Sequence, residues 1–142
     1  MQVDNILQSK GTTVHTVAVG APLSDAVRLL NTHRIGAVVV VDTRGQVAGI
    51  LSERDIVRRL EGDPQALLAG PVRAAMTAKV ITVTRQHSVS DLMELMTRHR
   101  IRHIPVVEGS TLAGIVSIGD VVKRKIEETE QEALALKEYI AS

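Results

Sequence analysis

The chain has 142 residues, with 17 Lys and Arg against 16 Asp and Glu, no cysteine, and Tyr139 as its only aromatic residue. That length suits one compact domain or two small halves sharing a core, and the lack of cysteine excludes disulfides, thiolate metal sites and cysteine nucleophiles. A formal net charge of +1 gives no strong field to recruit nucleic acid or an anionic membrane, and a lone aromatic offers no stacking platform for single-stranded bases.

The opening, MQVDNILQSKG, has neither the basic cluster nor the apolar stretch of a secretory leader, so a cytoplasmic location is expected. Val14 to Val17 is a short β-branched strand. A helix start follows at Ser24-Asp25, with Ala26, Val27 and Leu30 at helical spacing. The run AVVVV, Ala37 to Val41, is strand-sized and far too short to cross a membrane. A turn containing Gly45 reverses the chain into a strand over Val47 to Leu51, and a helix starts at Ser52. The stretch EGDPQALLAGP reads as a linker with one helical turn, capped by Asp63, opened by Pro64 and ended by Gly70-Pro71.

The same order then restarts. Val80 to Val83 is the strand, Ser90-Asp91 starts a helix with Leu92, Leu95 and Met96 on one face, and Ile104 to Val107 is the next strand. Gly109 turns the chain into Leu112 to Val116, and the last helix begins at Ser117. Ile35 matches Ile101 at an offset of 66 residues; after one deletion in the turn, GILSERD (Gly49 to Asp55) matches GIVSIGD (Gly114 to Asp120) at 65. The chain is therefore a tandem repeat of a β-α-β-β-α unit. Neither half is large enough for a robust core alone. The expectation is an α+β fold of two pseudo-twofold-related units packed sheet to sheet, with units at 3–62 and 74–125, a linker at 63–73 and an extended C-terminal helix over 126–142.

The repeated Gly-x-x-Ser-x-x-Asp has two readings. As a capping arrangement, Ser52 or Ser117 accepts from first-turn N–H groups and the acid suits the helix dipole, at about 1 kcal/mol per cap. As a ligand site, a strand end meeting a helix N-terminus takes anions and sugars, where a carboxylate can accept from ribose hydroxyls. Capping alone leaves unexplained why the helices at Ser24 and Ser90 use a different pattern, with Ser and Asp adjacent.

The doubled unit, the segment HRIRHIPVVEGSTLAGIVS and the closing Gly-x-x-Ser-x-x-Asp resemble a pair of CBS (cystathionine β-synthase) domains, a Bateman module. The resemblance covers roughly Val3 to Lys125, and AAMT at Ala74 to Thr77 also suits the family. It implies a ligand sensor for adenosine-containing molecules: AMP, ADP, ATP, NAD(H) or S-adenosylmethionine. Carried over by position, Asp55 and Asp120 would hold ribose hydroxyls, with Ser52 and Ser117 near ribose or phosphate. Thr16 and Thr82 would lie at the adenine edge, and Ile35, Gly36 and Ala37 would face Ile101, Arg102, His103 and Ile104 as cleft walls. Arg54, Pro105 and Ile118 complete the expected set. Arg102 and His103 stand where the first copy has Gly36 and Ala37, and a guanidinium matches phosphate geometry, so these two are expected to meet phosphates.

Other constellations carry less. His99 and His103 are four apart, but the segment is turning into a strand and no cysteine or nearby carboxylate completes a metal set. No nucleophile elbow or Walker-type phosphate loop is present, so no enzyme is expected. Val122, Ile126, Thr129, Ala133, Leu136 and Ile140 form a heptad seam that either folds back on its own domain or pairs two chains. The expected protein is a homodimeric sensor acting in trans on an unidentified protein, without nucleic acid or membrane. A ligand-independent dimeric scaffold is the rival.

Overall fold

The computed structural model describes residues 1–141. Helix α1 spans Val3–Lys10, followed by β1 (Thr16–Ala18), α2 (Leu23–His33), β2 (Ala37–Val41), β3 (Val47–Ser52) and α3 (Glu53–Arg59). Helix α4 (Pro64–Ala69) and a 3₁₀ turn at Val72–Ala74 lead into α5 (Val89–His99), β4 (His103–Glu108), β5 (Thr111–Ser117) and α6 (Ile118–Ala141). This is the expected α+β architecture, with two small sheets and a long terminal helix.

The two sheets are not equal. In the first half β1 runs parallel to β2, which pairs antiparallel with β3; in the second, β4 and β5 form a two-stranded sheet. The strand expected at Val80 to Val83 shrinks to a single parallel bridge between Val83 and Val106. Proline explains the loss. In the first half Val39 N–H donates to the carbonyl of His15 at 3.3 Å. Its counterpart in the repeat is Pro105, which has no N–H to offer Ile81.

Helix starts also differ from the sequence reading. Helix α2 begins at Leu23 after Pro22, and α5 begins at Val89 with Ser88, not Ser90, as its cap. Ser88 Oγ accepts from Asp91 N–H at 2.9 Å, and Asp91 Oδ2 accepts from Ser88 N–H at 3.1 Å. The α5 start is thus a third Ser-x-x-Asp capping box, which removes the supposed contrast there, whereas α2, with Pro22 at its cap and no side-chain cap bond, still differs from the helices after Ser52 and Ser117. In the linker, Asp63 Oδ1 accepts from Gln65 and Ala66 N–H at 3.1 and 3.2 Å, and Pro64 opens α4.

Two apolar clusters form the core, one in each half, and each half is completed by the segment that leads into the other. Val3, Ile6 and Leu7 of α1 are buried with Val83, Leu92, Ile104 and Val116 of the second half. Val72 and Ala75, in the segment that opens the second half, are buried with Leu23, Val38 and Leu51 of the first. The docking is pseudosymmetric: Val3 N–H donates to His87 O and Val72 N–H to Ala21 O, both at 2.8 Å.

Helices α2 and α5 end at equivalent arginines, Arg34 and Arg100, held in the left-handed region at φ 52° and 54°. Glycine is the usual residue there, because a Cβ crowds the backbone.

Candidate functional site

The two halves enclose a cleft of about 430 Å³, within the range of roughly 300–1,000 Å³ typical of small-molecule sites. The strand-to-helix corners at Ser52 and Ser117 both open into it. Of the residues expected to bind ligand, Gly36, Ser52, Arg54, Asp55, Ile101, Arg102, His103, Ser117 and Ile118 line this cleft. The others lie elsewhere. Ala37, Ile104 and Pro105 are buried, Ile35 packs on the first-half core, and Thr16 and Thr82 are exposed outside the cleft. Val80 and Ile81 form the wall near which Thr82 was expected.

Asp55 is the one buried charged residue among the described residues, at 6% exposure, yet it borders the cleft. Its Oδ2 accepts from Ser52 N–H at 2.9 Å and from Ser52 Oγ at 3.2 Å, while Oδ1 accepts from Thr77 Oγ1 at 3.2 Å. Capping and cleft-lining therefore coincide in one side chain. Thr77 arrives by backbone pairing with Ile50, N–H to O at 2.9 and 3.0 Å in the two directions.

Asp120 stands differently. It is capped in the same way, accepting from Ser117 N–H at 2.8 Å, but Lys10 Nζ of α1 sits 2.6 Å from the same oxygen and also donates to Ile115 O at 3.0 Å. Its carboxylate thus faces an internal cation, and the residue is not part of the cleft lining. Burial alone would raise the Asp120 carboxyl, but the Lys10 and Ser117 donors together hold it below its ordinary value.

The repeated glycines permit these contacts. A Cβ on Gly49 would meet Met76 Sδ at 2.5 Å and Thr77 O at 2.8 Å; one on Gly114 would meet Leu7 Cδ2 at 2.7 Å. Each heptapeptide therefore begins with a glycine because the opposite half's leader lies directly on it.

Cations dominate the cleft. Arg54, Arg58, Lys79, Arg100 and Arg102 line it, against Glu53 and Asp55. Sequence reasoning passed over Arg58, Thr77, Lys79 and Arg100. A signal for Lys79 exists, because aligning the leaders by Val3 and Val72 makes it the counterpart of Lys10. A site walled by Ile50, Val80, Ile81 and Ile101 and fringed with guanidinium groups suits an anion carrying an apolar ring.

His103 crosses from the second half to touch the first, where a Cβ on Gly36 would lie 3.1 Å from its Cε1. Burial, reinforced by the charge of Lys10, pushes its imidazolium below the ordinary value, although Asp120 and Glu53 act the other way. The unfolded chain therefore takes up this proton first as pH falls through about 6.5, and protonation favours unfolding. Urea denaturation is expected to show stability declining from pH 7.5 toward pH 5, with His103→Asn flattening that slope. A second decline, from protonation of Asp120, belongs below about pH 4. Stability that is flat between pH 7.5 and 5 would contradict the His103 assignment.

Comparison with known proteins identifies the family and the fold. The family model for the CBS domain matches residues 10–62 and again 72–127. The chain is 42% identical over 120 residues to the CBS domain-containing protein CBSX3, mitochondrial, of Arabidopsis thaliana; the match covers 82% of this chain and 58% of that protein's length. The crystal structure of the CBS-domain containing protein ATU1752 from Agrobacterium tumefaciens superposes with a TM-score of 0.83 at 44% identity, covering 87% of this chain and 92% of that one. The CBS domain pair of protein MJ0100, in complex with 5-methylthioadenosine and S-adenosyl-L-methionine, superposes with a TM-score of 0.78 at 25% identity, covering 90% and 98%. Among the described residues no helix is long and apolar enough to cross a membrane. CBS pairs are regulatory, ligand-binding modules. With both copies matched and the fold shared, the chain belongs to the CBS domain family, as a tandem pair.

Proposed function

We propose that the chain is a sensor whose cleft binds an adenosine-containing nucleotide and which, as a homodimer, transmits occupancy to a protein partner in trans. One observation carries the reading: five cationic side chains ring an aliphatic cleft that has a capped carboxylate, Asp55, at its edge. In this reading Asp55 takes the ribose hydroxyls and Ser52 a ribose or phosphate oxygen. Arg102 and His103, with Arg100 and Lys79, meet the phosphates, and adenine lies between Val80, Ile81 and Ile101. The adenosine ligands of the MJ0100 pair, which shares the fold, support this choice. AMP is the first candidate, then ADP, ATP and NAD(H), with S-adenosylmethionine less suited to so cationic a rim.

A thermal-shift panel of these compounds tests the proposal. A ligand at about 100 times its dissociation constant stabilises the fold by about 2.7 kcal/mol, and the phosphate-bearing members are expected to do so. Flat curves for every compound would overturn the sensor and favour the scaffold.

The paired arginines give a sharper test. Relaxing a left-handed arginine to glycine is worth about 1 kcal/mol of stability at either position. Arg34→Gly is expected to gain that stability with unchanged nucleotide affinity. Arg100→Gly is expected to gain it and to lose about tenfold in affinity, since Arg100 lines the cleft. Denaturation midpoints and calorimetric titration read the two effects separately; equal affinities would remove Arg100 from the site.

A further inference from the structure

Helix α6 runs for 24 residues, about 36 Å, and Val121 is its only buried side chain among the described residues. Beyond the body of the domain its apolar residues face outward. Val122, Ile126, Leu136 and Ile140 are 49%, 54%, 59% and 74% exposed. With Thr129 and Ala133 they recur at steps of four and three, filling the d and a positions of successive heptads. A shallow groove between Ile118, Val122 and Ile126 begins the stripe where α6 leaves the sheet.

The charges flanking the seam specify what covers it. In this register Lys123, Glu130 and Lys137 occupy e positions, and Lys125 and Glu132 occupy g positions. A parallel pair brings each g residue to the e residue five places on in the other helix. Lys125 then faces Glu130 of the second copy, and Glu132 faces Lys137; both pairs attract, and symmetry doubles each. Antiparallel pairing with full overlap sets Lys123 against Lys137, Glu130 against Glu130 and Glu132 against Glu132. All three pairs repel. Within one chain Lys125 reaches Glu128 at a long 3.9 Å, so forming the interchain pair gives up little.

We propose that two copies of this chain pair through α6 as a parallel two-stranded coiled coil, seamed by Val122, Ile126, Thr129, Ala133, Leu136 and Ile140. This deepens the homodimer named above and rests on it. It also fixes the symmetry of the assembly: a parallel pair places both clefts at the same end of the coil.

The chain has no cysteine, so a single introduced thiol reports on one position alone. Thr129→Cys and Leu136→Cys, each exposed and in the full chain, are oxidised with copper phenanthroline and resolved on non-reducing gels. In the parallel pair each residue meets its own counterpart, and both variants are expected to cross-link to dimer. An antiparallel register that sets Thr129 opposite itself sets Leu136 opposite Val122, about 21 Å from its counterpart, and cannot cross-link both. Sedimentation supplies the second arm. Lys125→Glu is expected to weaken self-association by about tenfold, and Lys125→Glu with Glu130→Lys to recover it. A dimer in which neither or only one thiol cross-links, or in which Lys125→Glu changes nothing, overturns the parallel coil and leaves the homodimer standing. A wild-type chain that sediments as a monomer at all concentrations overturns both.

Discussion

Gly49→Ala is expected to destabilise the fold by about 3 kcal/mol, while the same change at the matching Gly114 costs about 1 kcal/mol. The two glycines open near-identical heptapeptides, yet their neighbours differ in what can move. A methyl at Gly49 would lie 2.8 Å from the carbonyl oxygen of Thr77, and that oxygen is fixed by its hydrogen bond from Ile50. At Gly114 the obstruction is the tip of the Leu7 side chain, which has rotamers to explore. Relief at Gly49 requires the Met76–Thr77 backbone to lift from the strand edge, breaking the bridge and drawing Thr77 away from Asp55. Nucleotide affinity is therefore expected to fall with stability in Gly49→Ala, but not in Gly114→Ala. Urea midpoints at constant m-value, with calorimetric titration, measure both quantities. Equal losses at the two glycines would show that the 76–77 segment yields as easily as a side chain.

The second large effect is at Asp55. Asp55→Ala is expected to cost about 2–3 kcal/mol of stability, because Ser52 N–H and Thr77 Oγ1 lose their acceptor in a buried corner. If Asp55 takes the ribose hydroxyls as proposed, nucleotide affinity is expected to drop about 100-fold with the loss of a charged acceptor. Asp120→Ala is the contrast. Its ion pair with Lys10 is part-exposed, so the change costs about 1 kcal/mol and leaves affinity at this cleft intact. Asp55→Ala binding nucleotide as well as wild type would take the carboxylate out of the ligand site and leave it only the cap.

What the sequence disclosed, and what it withheld, divide along physical lines. The hairpins at 37–52 and 103–117 are legible because strand alternation, turn residues and the repeat all speak to contacts within about fifteen residues. The cleft was legible through the resemblance at Ser52, Asp55, Arg102 and His103, which line it. Features set by distant partners were not. Nothing near Asp120 announces Lys10, which lies 110 residues away. Nothing near Gly114 announces Leu7. Two misreadings were local: Pro105 already forbids the ladder that Val39 makes, and Ser88-x-x-Asp91 was present but overlooked beside Ser90-Asp91.

The exchange of leading segments bears on how the chain comes together. Val3, Ile6 and Leu7 are synthesised ahead of the pocket that seats them, which is built from residues 83 to 121. Helix α1 cannot be seated until those later residues are made, so the two halves cannot mature independently in order of synthesis. Closing that long loop carries an entropic cost, and once closed it ties α1 to the sheet of β4 and β5.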